Sequence, residues 1–218
     1  AVRLMRAAEP FLPLSVLGNP VVRDGALAAA LSMGTMVGLS IYVPVYLQAV
    51  IGLSASASGL ALIPLMGGTV TGATFCGRIM PHLTHYKRVP HVGLAGSIVA
   101  LAAMSFATTT VPLPVTLVLL AMTGVGIGTT FPVTTVSVQN AVRPFELGTT
   151  TAALNFFRQL GGALIVAIFG ASMLQGVGVS GGEGGADFLA RAGARPELRH
   201  AFAWLFGVGV VGLVLSYV

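Results

Sequence analysis

Thr151, Asn155 and Gln159 recur at a spacing of four, and Arg158 stands among them in the stretch NFFRQLGG, Asn155 to Gly162. On a helix that spacing gathers Thr151, Asn155 and Gln159 on one face, continued by Gly162, with Arg158 on its flank. The chemistry open to this group is narrow. A guanidinium stays protonated and offers only N–H donors, so Arg158 can donate hydrogen bonds but cannot carry a proton in and out. Two roles fit it. It either ties its helix to the carbonyls of a neighbour, or it lines an aqueous cavity or gate.

Other polar residues fall on helical faces too. Thr123, Thr130, Thr134 and Ser137 share one side of a second stretch, with Phe131 next to them. Tyr42 and Tyr46 share a face in a third, where Pro44 is placed to kink a helix. Tyr46 and Gln48 fit equally as anchors near an outer membrane surface. Gly124 and Gly128 form a GxxxG pair, and Ala163, Ala167 and Ala171 repeat at the same spacing, a pattern that lets helices pack closely.

The types that are missing narrow the reading further. All six acidic residues, Glu9, Asp24, Glu146, Glu183, Asp187 and Glu197, lie in loops or lead-ins, so no apolar run holds a proton-carrying carboxylate. His82, His85 and His91 lack a metal-site spacing and read as surface histidines. No HExxH, GxSxG or Walker A motif occurs, so no zinc hydrolase, serine hydrolase or ATP motor is visible and no enzyme is expected.

The elements that must position these residues follow from composition. Of 218 residues, 55% are hydrophobic and 8% charged. A soluble domain carries about a quarter charged residues, so this chain reads as an integral membrane protein. The net charge of +5 comes from 11 scattered Lys and Arg, too sparse for a nucleic-acid groove. Cys76 is alone, so no internal disulfide can form.

Asp, Glu, Lys and Arg are absent from Gly25 to Gly77 and again from Val89 to Val142. A helical span needs about 20 apolar residues, so each run holds two spans. The breaks are VIGLSASAS (Val50 to Ser58) and TTTVPLP (Thr108 to Pro114). A fifth span is expected from about Gly148 to Gln175, and a sixth after Pro196 to Val218. The runs are continuous and too long for barrel strands, so the fold class is all-α with six transmembrane helices. Residues 1–24 form a lead-in, 25–218 the bundle, and 176–199 an external loop.

Loop charge then orients the chain. Arg3, Arg6 and Arg23, then Arg78, Lys87 and Arg88, then Arg143, fall on one side, where Lys and Arg excess marks the cytoplasm. Both ends of the sequence are therefore expected to be cytoplasmic. A sequence that opens with AVRLMRAAEP and stops within an apolar run reads as a piece of a longer protein. With span five starting near Gly148, Arg158 sits about 15 Å deep, near the middle of an apolar core of about 30 Å.

The stretches PVYLQAVIGLSASASGLALIP (Pro44 to Pro64), GVGIGTTFP (Gly124 to Pro132) and VQNAVRPFELGTTTAALNFFRQLGGALIVAIFG (Val138 to Gly170) carry a resemblance, and the lead-in EPFLPLSVLGNPVV adds to it. They resemble the fourteen-span drug/proton antiporters of the major facilitator superfamily, the EmrB/QacA multidrug-efflux group. The resemblance implies a C-terminal six-helix half, spans nine to fourteen, made of two inverted three-helix repeats. It implies export by alternating access of amphipathic, often cationic drugs, or of lipids and metabolites in some members, across a bacterial cytoplasmic membrane, driven by the proton gradient with no other cofactor. Its partners would be the bilayer, the small substrate and the N-terminal half, where that group keeps most of its proton-carrying acids. Arg158 and Gln159 match the group's recurrent Arg-Gln pair.

There are departures. Ile165 stands where a Gly is common in that group, so Gly161 lacks a GxxxG partner, and GRIMPHLTHYKRV (Gly77 to Val89) lacks a clear G-x-L-x-D-R-x-G motif. The substrate or gating candidates are thus Arg158, Gln159, Asn155, Thr151, Tyr42, Tyr46, Gln48, Thr130, Phe131 and Thr134. Met33 and Met36 join Tyr42 and Phe131 as adaptable groups suited to a roomy cavity. The alternative is a membrane assembly or scaffold subunit, or a truncated remnant, that transports nothing.

Overall fold

The computed structural model of the chain describes residues 18–82, 88–106, 112–177, 203 and 206–214. The lead-in before residue 18, His85, most of the second break, the external loop beyond Val177 and the start of the sixth span at Pro196 lie outside the described residues. Within them the chain is helical and has no strand. Helix α1 is Pro20–Ala49, α2 Ala55–Leu60, α3 Ile63–Ile79, α4 Arg88–Phe106, α5 Leu113–Asn140 and α6 Leu147–Val177. A seventh helical stretch, α7, covers residues 206–214. Five segments are long and apolar enough to cross a membrane: Pro20–Ala49, Ala55–Ile79, Val89–Phe106, Leu113–Asn140 and Pro144–Ile168. α7 stands where the sixth was expected.

The turns form where the sequence breaks. Asn19 caps α1 by accepting from the Val21 N–H at 3.0 Å, and Pro20 fills the first helical position, where a missing N–H costs nothing. After Ala49 the chain reverses through Gly52 at φ +79°, a left-handed conformation that a β-carbon disfavours. Ser54 then caps α2, its hydroxyl accepting from the Ala57 N–H at 3.3 Å. At the other end, Arg143 and Glu146 form a capping box ahead of α6, with the Arg143 N–H donating to Glu146 Oε2 at 3.2 Å. Asn19 Nδ2 also donates to the Ala141 carbonyl at 2.9 Å, so the start of α1 and the end of α5 share one side of the bundle.

Packing is reciprocal. α3 lies along α5 in the most extensive contact, and α1 lies along α6 in the next; α4 also packs on α5 and α1 meets α5. Counting α1, α3 and α4 as one unit and α5, α6 and α7 as another, the first helix of each packs on the second helix of the other. The third helices follow suit: α4 lies on α5, while Phe206 of α7 meets Tyr46 of α1 edge to ring at 5.5 Å. Two three-helix repeats related by a two-fold axis produce this pairing.

Small residues make the close contacts. A β-carbon on Gly68 or Gly72 of α3 would strike the backbone of Ala121 or Val125, and one on Gly124 or Gly128 of α5 would strike the backbone of Leu65 or Thr69. The GxxxG pair therefore packs as expected. On the α1–α6 side a β-carbon on Gly161 would strike the Ala30 backbone, while Gly34 faces Gly161 and the Ile165 side chain. Gly161 thus finds its close partner across the interface despite the lack of a second glycine, and Ile165, 7% exposed, is buried beside Gly34. The alanine stripe lies elsewhere: Ala163, Ala167 and Ala171 are exposed on α6, while Gly161 and Ile165 occupy the face toward α1.

Because the atoms facing Gly124 are backbone, no rotamer change can make room for a larger residue. Gly124→Val is expected to cost about 1–3 kcal/mol or more, read as lost monodispersity of the detergent-solubilised polypeptide. Gly96→Ala, with nothing within 4 Å of a new β-carbon, should leave it unchanged.

Candidate functional site

Arg158 reaches from α6 to one turn of α5. Its Nη2 donates to the Thr135 hydroxyl at 2.8 Å, the Phe131 carbonyl at 3.2 Å and the Thr134 hydroxyl at 3.3 Å. Its Nη1 donates to Asn155 Oδ1 at 3.4 Å. The guanidinium carbon lies 5.6 Å from the centre of the Phe131 ring, within cation–π range. Nε is buried without a hydrogen-bond partner.

The turn that it holds is built around Pro132, inside α5. Proline has no N–H and its ring crowds the preceding turn, so the α-helical ladder is interrupted there. Thr134 and Thr135 bond back to their own helix just after Pro132. Thr134 Oγ1 donates to the Thr130 carbonyl at 2.8 Å and Thr135 Oγ1 to the Phe131 carbonyl at 2.8 Å. This back-bonding satisfies the hydroxyls in an apolar setting and leaves their lone pairs for Arg158. A second bridge lies nearer the C-terminal end of α5, where Gln139 Nε2 donates to Thr151 Oγ1 at 3.3 Å. Direct contact between α5 and α6 is slight, so these polar bridges carry much of their connection.

The structure therefore gathers Arg158, Asn155, Phe131 and Thr134 in one cluster and sets Thr151 in a second bridge on the same seam. Thr130 is buried beside them, its hydroxyl without a hydrogen bond. Gln159 is exposed on α6, as is Asn155, while Thr151 and Arg158 are half-buried. The polar stripe thus straddles the seam with α5 and the chain's own surface. Tyr42, Tyr46 and Gln48 belong elsewhere. Tyr46 is 3% exposed in the core against Phe206, no setting for an interfacial anchor. Tyr42 is half-buried near Gly170, and Gln48 Nε2 bonds the Pro44 carbonyl of its own helix at 3.2 Å. Met36 meets the Thr69 hydroxyl at 3.9 Å, a contact between α1 and α3.

Thr135 and Gln139 went unrecognised in the sequence. The signal was present: Phe131, Thr135 and Gln139 recur at spacing four and make the stripe of α5 that faces α6. The face drawn through Thr123, Thr130, Thr134 and Ser137 ran one residue to its side.

These apolar helices, paired reciprocally around a half-buried arginine, define an integral membrane bundle. The chain belongs to the major facilitator superfamily, whose sequence pattern matches residues 4–166, and members of that superfamily are transporters. An uncharacterized MFS-type transporter of Mycobacterium tuberculosis is 34% identical over 166 residues, covering 76% of this chain and 24% of the relative. A tetracycline resistance determinant of Streptomyces rimosus is 30% identical over 172 residues, 77% of this chain and 48% of the relative. Multidrug resistance protein 3 of Bacillus subtilis is 27% identical over 165 residues, 76% of this chain and 32% of the relative. The chain spans about a quarter to a half of the length of these relatives.

Interhelical hydrogen bonds in membrane proteins contribute about 0.6 kcal/mol on average and up to about 1.7 kcal/mol. Thr135→Val should destabilise the protein within that range, and Arg158→Gln should cost less in the Thr135→Val background than alone. A double-mutant cycle on unfolding in detergent reads the difference; strict additivity would mean that the two side chains are not coupled.

Proposed function

We propose that this chain is the C-terminal half of a fourteen-span, proton-coupled exporter of drugs or other amphipathic small molecules. The observation that carries the proposal is the likeness, over three quarters of the chain, to proteins named for tetracycline and multidrug resistance. In this reading the protein sits in a bacterial cytoplasmic membrane with both ends of the stretch facing the cytoplasm. Its partners are the bilayer, the substrate and an N-terminal half, and the proton gradient replaces any cofactor. The two halves rock about a site at the membrane midplane.

The geometry supports a moving part at the seam of α5 and α6. Helices packed backbone to backbone, as α3 and α5 are at Gly124, resist sliding. Helices joined by a few side-chain hydrogen bonds, as α5 and α6 are at Arg158 and Gln139, can part and rejoin. Pro132 interrupts the hydrogen-bond ladder of α5 at that joint. Asn155, Gln159 and Thr151 then serve as substrate or gating groups beside Arg158, with Phe131, Thr130 and Thr134 across from them. Tyr42, Tyr46 and Gln48 are left as packing residues of α1.

The test is accumulation of tetracycline and of ethidium in a pump-deficient host expressing the full-length polypeptide. Expression should lower accumulation of at least one compound, and a protonophore should restore it. Equal accumulation with and without expression for both compounds would overturn the exporter; efflux that survives the protonophore would overturn proton coupling.

A further inference from the structure

Arg158 lies about 17 Å along α6 from Leu147 at 1.5 Å per residue, and among the described residues no other charge stands so far from a helix end. Every acceptor of its guanidinium among the described residues is neutral: one amide oxygen, one carbonyl and two hydroxyls. Nη2 shares three of them, Nη1 has one long bond of 3.4 Å, and Nε has none. The two acidic residues among the described ones are engaged at helix starts. Asp24 pairs with Arg23 at 3.0 Å, and Glu146 accepts the Arg143 N–H. Glu146 lies twelve residues before Arg158, about 18 Å along the helix.

A charge held at this depth by neutral acceptors alone is strongly disfavoured, and a counter-charge relieves it. The surroundings suit an anion. Asn155 and Gln159 flank Arg158 on the exposed side of α6 with amide donors, and the Phe131 ring offers an apolar flank. We propose that Arg158 is the receptor of an oxyanion, a carboxylate or phenolate, and that Thr134, Thr135 and the Phe131 carbonyl hold its place until the oxyanion arrives. The present bonds already have an ionised donor, but an oxyanion adds a second, opposite charge and can accept two parallel N–H bonds from the guanidinium, so it displaces these neutral acceptors. The exchange frees the Pro132 turn of α5, which links occupancy to helix movement. The inference rests on the exporter reading for the oxyanion's source, which is either the substrate or an acidic residue of the polypeptide outside this stretch.

The experiment compares the full-length protein with its Arg158→Gln and Arg158→Lys variants in two readouts. One is the Tm of purified protein with nalidixate, a carboxylate, or ethidium, a cation. The other is resistance of a pump-deficient host to the same compounds. With a substrate oxyanion, nalidixate raises the Tm of the wild type and of the Arg158→Lys variant but not of Arg158→Gln. Nalidixate resistance then falls by about 10-fold or more in Arg158→Gln, while ethidium resistance holds. With an oxyanion from the polypeptide, Arg158→Gln lowers both resistances and the Tm, and neutralising one acidic residue outside this stretch restores them. The proposal is overturned if Arg158→Gln matches the wild type in both readouts, or if its losses are the same for both compounds and no neutralisation relieves them. A host that gains no resistance to either compound counts against the exporter alone, because the Tm readout still decides the oxyanion site.

Discussion

Everything in this bundle is referred to the contact of α3 with α5, where glycines on both helices bring backbone against backbone at Gly68, Gly72, Gly124 and Gly128. In lipid there is no hydrophobic gain from hiding one apolar helix against another, so close packing of this kind must supply the association. It fixes α5 in place along its middle turns. On its other side Ser97 of α4 donates to the Thr123 carbonyl at 2.9 Å, and Gly93 lies close to Gly126. With α5 held from two sides, the turn at Pro132 becomes a fixed point to which α6 can be tied.

The α1–α6 contact repeats that arrangement with one change. Gly161 meets the Ala30 backbone much as Gly68 meets that of Ala121, but Gly34 faces the Ile165 side chain as well as the Gly161 carbonyl. Ile165 thus puts a branched side chain into the contact. Its Cδ1 lies next to Gly34 and 3.9 Å from a β-carbon position on Gly212, so it fills the space between α1, α6 and α7. In one interface four glycines lie against backbone; in the other Gly161 lies against backbone and Gly34 also against a side chain. The symmetry of the fold is therefore kept in its pairing but not in its tightness.

Between these two interfaces lies a seam of another kind. α5 and α6 touch little, and Arg158 and Gln139 bridge what remains with hydrogen bonds to hydroxyls and a carbonyl. Such bonds are modest in strength and can be exchanged for others, whereas the glycine contacts are steric and cannot. In the proposed exporter the same difference would separate the helices that stay together from those that shift.

Much of this was legible in residue order. Continuous apolar runs imposed helices, because a backbone in hydrocarbon must satisfy its own hydrogen bonds, and the breaks around Gly52 and Pro112 marked their ends. Gly124 and Gly128 announced a close contact through their spacing alone, and Arg158 declared itself by being a charge in an apolar run. What residue order left open was which faces meet. Ala163, Ala167 and Ala171 have the same small-residue spacing as the glycines yet stay exposed, since spacing fixes a face and not its partner. Thr135 rather than its neighbour Thr134 makes the shortest bond to Arg158, and Tyr46 went to the core, because the rotation of each helix is set by packing against the others. Helices, their breaks and the charge within an apolar run depend on local composition and solvent, so residue order carries them. Helix partners do not, because the direction in which a helix face points is a property of the bundle.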